Sequence, residues 1–190
     1  HTVARGESLE GISKRYGIPV KSLKVINGLH GDNLSPGRKL FIGYLPNNLK
    51  EIISTTKDNY LWPVYGHRNI SSKFGVRWGK FHKGIDIAVP EGTKVLASED
   101  GVVNFSGEKG SYGNALQVTH RGNIRTAYAH NSVLLVRRGE HVKKGQLIAY
   151  SGNSGRSTGP HVHFELHVPE AKSKNSIAID PLAVLGSSSN

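Results

Sequence analysis

From Leu61 onward, the sequence is a series of short apolar segments separated by clusters of Gly, Asn, Asp and Pro. This spacing is typical of strands joined by turns, and no segment in this part has a long helical period. We therefore predict a mainly β fold, with a largely antiparallel β-sheet or sandwich. The predicted strands are Lys94–Ala97, Gly101–Phe105, Asn114–Thr119, Ile124–Tyr128, Gln146–Ser151 and His161–Val168.

The first 43 residues have a different pattern, which predicts a small unit with β-α-α-β order. Short strands are predicted for His1–Ala4 and Leu40–Ile42. Ser8 is a suitable N-cap for a first helix, and Gly17 can end that helix in the left-handed conformation. A second helix is predicted over residues 19–26, because Val, Leu and Ile recur there at helical spacing.

Between these two parts, residues 44–60 mix Pro, Asn, Lys and Thr and are predicted to form a linker. The β domain then spans residues 61–185, and residues 186–190 are predicted to be a flexible tail. No apolar run approaches the roughly 20 residues that a transmembrane helix needs. The chain begins at His1 without a signal peptide, so we expect that an export signal or lipid anchor upstream of this segment has been removed.

The net charge of +11 at pH 7 favours an anionic partner. The basic residues are scattered, with no arginine-rich helix, and this argues against nucleic acid. The carboxylates and phosphates of a bacterial envelope would satisfy the charge, as would a solvated basic surface with no partner. The sequence contains no cysteine, so any metal must be bound by His, Asp or Glu.

The segment from His161 to Val168 alternates polar and apolar residues, which places His161 and His163 on one face of a strand. Two neighbouring imidazoles on a rigid element suit a metal ligand beside a proton-transfer group. Taken alone, the pair is better explained as surface histidines on an edge strand. Glu165 follows on the same face and is predicted to orient a ligand, with a solvent-facing role as the alternative.

Two further segments supply possible partners for these histidines. His82 and Asp86 are four residues apart, about 13 Å on a straight strand, so Gly84 is expected to introduce a bend between them. His130 is predicted to follow the end of another strand, with Tyr128 on the same face as a candidate neighbour of the site. These residues can form one site only if the fold brings the strand ends together.

Five segments together resemble the LytM, or lysostaphin-type, zinc peptidases, which are bacterial cell-wall hydrolases. The segments are Phe74–Arg77, His82–Asp86, Tyr128–His130, Val142–Gln146 and Ser157–Phe164. The resemblance implies one Zn²⁺ bound by His82, Asp86 and His163, with His130 and His161 as catalytic residues. Members that have lost hydrolysis usually lack one or more of these residues, and this chain has them all.

The first 43 residues resemble a LysM domain, through the phrases Val3–Leu9, Ile12–Ile18, Leu23–Leu29 and Leu34–Leu40. LysM domains bind N-acetylglucosamine-containing glycans such as peptidoglycan and chitin. Carried over to this chain, the resemblance predicts glycan contacts by Gly6, Glu7, Ser8, Asn27 and Gly28. A unit that only packs on its neighbour is the alternative.

The combined prediction is a secreted bacterial zinc endopeptidase that cleaves peptide bonds in peptidoglycan stem peptides or cross-bridges, with the LysM domain targeting it to the glycan. Its expected location is the periplasm or the extracellular cell wall, and cell division is a process in which such hydrolases take part. Two alternatives stay open. One is a non-hydrolytic activator that binds a cell-wall amidase, and the other is a structural protein that only binds peptidoglycan.

Overall fold

The computed structural model describes residues 1–42, 54, 56, 59–77, 80–169 and 176–185. Within these residues, two α-helices near the N-terminus precede twelve strands, which confirms the predicted fold class. The helices are α1 (Leu9–Tyr16) and α2 (Val20–Asn27). The strands are β1 (Ile70–Ser72), β2 (Gly75–Arg77), β3 (Lys80–His82), β4 (Gly84–Ala88), β5 (Lys94–Leu96), β6 (Gly101–Glu108), β7 (Asn114–Thr119), β8 (Arg125–Leu134), β9 (His141–Val142), β10 (Leu147–Ser151), β11 (His161–Pro169) and β12 (Ser176–Ile179).

Both helices end as the sequence predicts. The Ser8 hydroxyl accepts a hydrogen bond from the Gly11 amide at the start of α1, and Gly17 ends this helix with φ 63°. Helix α2 begins after Pro19, one residue later than predicted, and continues to Asn27. Gly28 then adopts φ 59°, the left-handed conformation that favours glycine at a helix C-terminus.

The two strands predicted in the N-terminal unit are reduced to one isolated bridge between Thr2 and Lys39. Leu40–Ile42 is not a strand, so this part of the prediction is wrong. The reason is that the backbone of Phe41 bonds to a side chain: its amide donates to Asn27 Oδ1, and its carbonyl accepts from Asn27 Nδ2. At Phe41 these bonds take the place of ladder bonds, whereas Leu40 still bonds to the backbone of His1, its amide donating to the His1 carbonyl at 2.7 Å.

Ten strands of the described residues form one antiparallel sheet, along which β1, β4, β11, β8, β7, β6 and β9 follow one another. Strand β10 pairs with β5 and β8, and β12 pairs with β11. Strands β2 and β3 pair with each other as a separate hairpin. Because β11 lies between β4 and β8, residues from all three strands can meet at its N-terminal end.

Most predicted strands are found within one or two residues of their expected bounds, but two are longer. Strand β6 continues to Glu108, and β8 continues past its predicted end at Tyr128 to Leu134. The second half of β8 gains a new partner, because Leu134 and Val133 pair with β10. Register shifts on both sides of this junction mark bulges that let one strand serve two sets of partners.

Two clusters of buried apolar side chains form the core. The first lies within the β domain and includes Trp62, Ile85, Leu116, Tyr128 and Phe164. The second joins the N-terminal unit to the β domain. It contains Leu9, Ile12, Leu23, Ile26 and Leu29 of the unit, together with Ile124, Leu166, Val168, Ile177 and Ile179 of the β domain. The two parts of the chain are therefore packed together through a shared core.

Two predictions cannot be compared with the structure. Most of the linker expected at residues 44–60 lies outside the described residues, and so does the tail expected at residues 186–190. Tyr60, at the end of that linker, is buried and forms a bridge with Leu185. Within the described residues, no helix has the length and apolar character needed to cross a membrane.

Candidate metal centre

His82, Asp86 and His163 meet at one point, although they come from three strands. His82 ends β3, Asp86 lies in β4, and His163 lies directly opposite Asp86 in the β4–β11 ladder. His163 Nδ1 is 2.8 Å from Asp86 Oδ1, and His82 Nε2 is 3.0 Å from each of these two atoms. All three residues are buried. Three donor atoms this close together are the arrangement that a small metal ion requires.

The strand is interrupted between His82 and Asp86, as predicted, but the interruption is at Lys83, and Gly84 contributes to the site in another way. It belongs to β4 and pairs with Glu165 of β11. A Cβ atom at this position would lie 2.2 Å from the carbonyl oxygen of Phe164. The missing side chain therefore lets β4 and β11 approach closely, and this brings Asp86 against His163.

The orientation of each imidazole ligand is fixed by the bond of its other nitrogen. His82 Nδ1 donates to the backbone oxygen of Lys73 at 2.8 Å, which leaves Nε2 as the donor atom of the site. His163 Nε2 donates to Glu165 Oε1 at 3.0 Å, which leaves Nδ1 free for the site. Such partners hold metal-binding histidines in the required tautomer.

The electrostatics of the group favour a cation. Burial raises the pKa of Asp86, but hydrogen bonds from His163 and His82 more than offset this, and the pKa lies well below its usual range. Burial lowers the pKa of His163, whereas its bonds to Asp86 and Glu165 raise it to about 9. Two nitrogens and one carboxylate oxygen fit Zn²⁺ and leave one position open, as in catalytic zinc sites. A bound ion would supply the positive charge that Asp86 and Glu165 otherwise stabilise on protonated His163.

His161 and His130 lie beside this group. His161 Nδ1 donates to the Gly159 carbonyl at 2.8 Å, and its Nε2 is 3.7 Å from Asp86 Oδ1. His130 Nδ1 donates to the Ser154 carbonyl at 2.8 Å. The ring centroids of His130 and His161 are 4.6 Å apart, so both rings border the same space. Burial lowers the pKa of His130, which favours the neutral form.

The backbone of His130 explains how its side chain reaches the site. His130 has φ 64°, which is unusual for a residue other than glycine. Regular alternation would place His130 on the same face as Tyr128, but the left-handed conformation, within a bulge of β8, turns it to the other face. Strained backbone of this kind is common at functional sites.

Tyr128 is not part of the site, so its predicted role is wrong. It lies opposite Phe164 in the β8–β11 ladder, and its ring packs against the Phe164 ring in the core. Its hydroxyl accepts a hydrogen bond from the Ser98 amide and another from the Thr126 hydroxyl. The face that carries Tyr128 is therefore opposite to the face that carries His163.

Glu165 lies where the sequence places it, in contact with a metal-ligand candidate. It is buried and accepts three hydrogen bonds: from His163 Nε2, from His167 Nε2 at 2.6 Å and from the Tyr112 hydroxyl at 2.8 Å. Burial raises its pKa, but the bonds from the two histidines outweigh this and keep it ionised. His167 contacts the site only through Glu165, so it is a neighbour of the ligand group and not a member of it.

Two residues of the site were not predicted. Arg77 of β2 places Nη2 3.2 Å from Asp86 Oδ2, the carboxylate oxygen that faces away from His163. Tyr112 lies in a 3₁₀ helix, Gly110–Tyr112, and its ring also packs against His163. Burial and the nearby Glu165 raise the pKa of Tyr112, so the phenol stays protonated and donates. Its position in the turn-like segment Gly110–Gly113, in a chain with few aromatic residues, was the only signal for it.

We predict that Tyr112→Phe weakens zinc binding by about tenfold, because Glu165 then loses one of its three donors and restrains His163 less firmly. The dissociation constant for zinc, measured by competition with a chromogenic chelator, tests this. Tyr65→Phe is the matched control, since Tyr65 is exposed. Equal affinities in the two variants would show that the Tyr112 hydroxyl does not support the ligand.

The residues predicted to bind glycan are in different situations. Asn27 is buried, and its amide bonds to Leu23 and Phe41, so its predicted glycan contact is wrong. Gly28 faces Phe74 of the β domain. Glu7 bonds to His1, Arg15 and the Ala4 amide, and Ser8 caps α1. Glycan contacts by Gly6, Glu7, Ser8 and Gly28 remain a prediction.

Two family models match the chain. One is described as peptidase family M23 and covers residues 80–181. The other is described as the LysM domain and covers residues 1–43, the bounds predicted for the N-terminal unit. The M23 match contains the three candidate metal ligands and both neighbouring histidines. It agrees with a metal-dependent peptidase, and the group His82, Asp86 and His163 is the part of the site that could hold the ion.

Two of the similar proteins come from Neisseria meningitidis and Escherichia coli. The DD-carboxypeptidase/endopeptidase Mpg of Neisseria meningitidis serogroup B is 42% identical over 125 residues, which cover 62% of this chain. This chain spans only 27% of the length of Mpg. The uncharacterized lipoprotein YgeR of Escherichia coli is 31% identical over 97% of this chain and 80% of its own length. The alignment with YgeR therefore runs over nearly the whole of this chain.

Among solved structures, the catalytic domain of the antimicrobial peptidase lysostaphin from Staphylococcus simulans superposes with a TM-score of 0.52 and 28% identity. The match covers 70% of this chain and 93% of that domain. The resemblance to lysostaphin-type enzymes is therefore confirmed in sequence and in fold. The chain belongs to peptidase family M23 and carries a LysM domain at its N-terminal end.

Proposed function

We propose that this protein is a zinc-dependent endopeptidase that hydrolyses peptide bonds of peptidoglycan. The observation that carries the proposal is the convergence of a buried His-Asp-His group with two further histidines, His130 and His161, around one space. A metal with an open coordination position and adjacent proton acceptors is what amide hydrolysis needs. The names of the relatives, which include an endopeptidase and an antimicrobial peptidase, support a peptide substrate.

In this proposal, His82, Asp86 and His163 bind the ion. When bound, zinc would supply a Lewis acid for the scissile carbonyl and would lower the pKa of a bound water to about 7. His161 takes a proton from the attacking water, because its Nδ1–H is held by Gly159 and its Nε2 lies next to Asp86. His130, whose ring borders that of His161 and whose lowered pKa leaves Nε2 unprotonated, accepts this proton from His161 and relays it to the leaving amine.

The experiment is digestion of purified peptidoglycan sacculi, with mass spectrometry of the released peptides. We expect soluble peptides from the wild-type protein, loss of release after treatment with a chelator, and recovery when zinc is added. A protein that binds one zinc ion yet releases nothing would contradict the proposal. That outcome would favour the amidase-activator interpretation, which is tested by adding a purified cell-wall amidase to the same assay.

The proposed location is the periplasm or the outer surface of a bacterial cell, attached to the wall. A LysM domain and relatives that include a lipoprotein support this. The proposed partner is peptidoglycan, contacted through its glycan by the LysM domain and through its peptides by the M23 site. Binding at two points of one polymer raises the local concentration of scissile peptide near the metal group.

We expect salt to weaken attachment to the wall, because a net charge of +11 faces an anionic polymer. Charges farther apart than about 8–10 Å are largely screened at physiological ionic strength. The measurement is the fraction of protein that pellets with insoluble peptidoglycan over a salt series. A fraction that does not change with salt would show that contacts other than charge control the attachment.

A further inference from the structure

The metal-ligand candidate His82 belongs to an element that stands apart from the main sheet. In the part of the chain that the structure describes, the β2–β3 hairpin has no ladder bonds to the ten-stranded sheet. His82 is the last residue of β3 and pairs with Gly75 of β2. The position of His82 therefore depends on whatever packs against this hairpin.

The hairpin and Lys73, two residues before it, make two contacts with the metal group. The Lys73 carbonyl accepts the hydrogen bond of His82 Nδ1 at 2.8 Å, and Arg77 lies 3.2 Å from Asp86. A displacement of the segment from Lys73 to Arg77 would thus change the orientation of one ligand and the charge environment of another. Such partners of metal ligands affect metal affinity strongly.

The C-terminal end of helix α2 in the LysM domain packs directly against this segment. A Cβ atom on Gly28 would lie 2.7 Å from the Phe74 carbonyl oxygen, and a Cβ atom on Gly75 would lie 2.9 Å from the Asn27 carbonyl oxygen. Both distances are shorter than real Cβ contacts allow. Backbone therefore meets backbone here, and each side of the contact requires glycine.

The LysM side of this contact is held firmly. The amide of Asn27 is buried and bonds to the backbone of Leu23 and Phe41. The ring of Phe41 then lies 6.0 Å from the ring of Phe81, the neighbour of His82, and the Phe81 ring is 5.1 Å from that of Phe74. The same helix end thus supports the hairpin through its backbone and, by way of Phe41, through aromatic packing.

We propose that the LysM domain positions the metal ligand His82, through the contact of Gly28 with the segment Lys73–Gly75. Gly28 and Gly75 are positioning residues, since they act through the Lys73 carbonyl. The proposal rests on the metal site of the proposed function and adds a second role for the LysM domain. In this role the domain completes the M23 site, whether or not it also binds glycan.

The test compares Gly28→Asn with Gly17→Asn in the full chain. Both glycines end helices of the LysM domain with nearly the same φ, 59° and 63°, and asparagine is tolerated in this conformation. Of these two glycines, only Gly28 is in close contact with the β domain, since a Cβ atom on Gly17 meets nothing within 4 Å. Zinc affinity is measured by chelator competition at a temperature well below the melting temperature of either variant. We expect Gly28→Asn to bind zinc about 10–100-fold more weakly than the wild type, and Gly17→Asn to bind it equally well.

Equal zinc affinities in the two variants would overturn the positioning role, even if Gly28→Asn melts at a lower temperature. If Gly28→Asn does not fold, Phe41→Ala decides, because this half-exposed side chain can be removed with little effect on folding. A several-fold loss of zinc affinity is then expected, and unchanged affinity would contradict the proposal. Wild-type protein that binds no zinc would overturn the proposed function itself.

Discussion

Replacing His163 by alanine is expected to remove the bound zinc and the peptidase activity together. His163 Nδ1 is one of three donor atoms in the group, and its loss leaves only His82 and Asp86. Two protein ligands do not form a stable zinc site, because such sites use three or four. Metal analysis of the purified variant should show close to no bound zinc, with turnover of wall peptides below detection.

The variant His161→Ala is expected to behave differently, although the two histidines are separated by only one residue. His161 lies beside the metal group without belonging to it, so the variant should keep near-stoichiometric zinc and an intact fold. Its turnover should fall by about 10²–10⁴-fold, the usual contribution of a positioned general base. The variant is thus the matched control for zinc binding in His163→Ala.

Three results would contradict this assignment. Loss of zinc from His161→Ala would make His161 a ligand, and full zinc retention by His163→Ala would remove His163 from the metal group. Similar activity in His161→Ala and the wild type would transfer the role of general base to His130. Thermal melts of both variants are needed to exclude unfolding as the cause of a lost signal.

Gly84→Ala is expected to have the largest effect on stability. The new methyl group would meet the Phe164 carbonyl at 2.2 Å, where the neighbour is backbone of β11 and cannot rotate away. Overpacking costs about 1–3 kcal/mol in general, and the upper end or more is expected here. For a chain of this size, 3 kcal/mol corresponds to about 6–12 °C in Tm. Zinc affinity should fall as well, because β4 and β11 hold Asp86 against His163.

The control for this prediction is Gly31→Ala. Neither Gly84 nor Gly31 has a positive φ, so both positions accept alanine as far as the backbone is concerned. A Cβ atom on Gly31 meets nothing within 4 Å, whereas Gly84 is enclosed. We expect an unchanged Tm for Gly31→Ala. The same Tm for both variants would show that β4 and β11 can separate without cost.

Features that depend on a few neighbouring residues were predicted well from the sequence. The ends of α1 followed from Ser8 and Gly17, because capping is a local interaction. The position of His161 and His163 on the same face of β11 followed from the alternation of side chains along a strand. The pairing of Asp86 with His163 needed the family resemblance, because the register between β4 and β11 cannot be derived from either strand alone.

Features that depend on distant contacts or on unusual backbone were missed. The left-handed conformation of His130 turns its side chain to the opposite face of β8. Regular strand alternation therefore led to the wrong prediction that Tyr128 lies beside the site. Tyr112 reaches Glu165 across 53 positions in the sequence. Packing of the LysM domain on its neighbour was only an alternative prediction, and its partners β11 and β12 were missed, because apolar residues such as Leu166 and Ile179 indicate burial without indicating what they contact.

That packing has a consequence for the proposed cleavage of peptidoglycan. Helix α2 and β12 share a hydrophobic cluster, and the Asp180 amide donates to the Val25 carbonyl at 3.4 Å. The LysM domain and the metal group therefore keep a fixed separation. A LysM domain joined by a flexible linker would let the metal site reach many different peptides around one bound sugar. In this protein the fixed separation would determine the distance between the sugars bound by the LysM domain and the peptide bond that is cleaved.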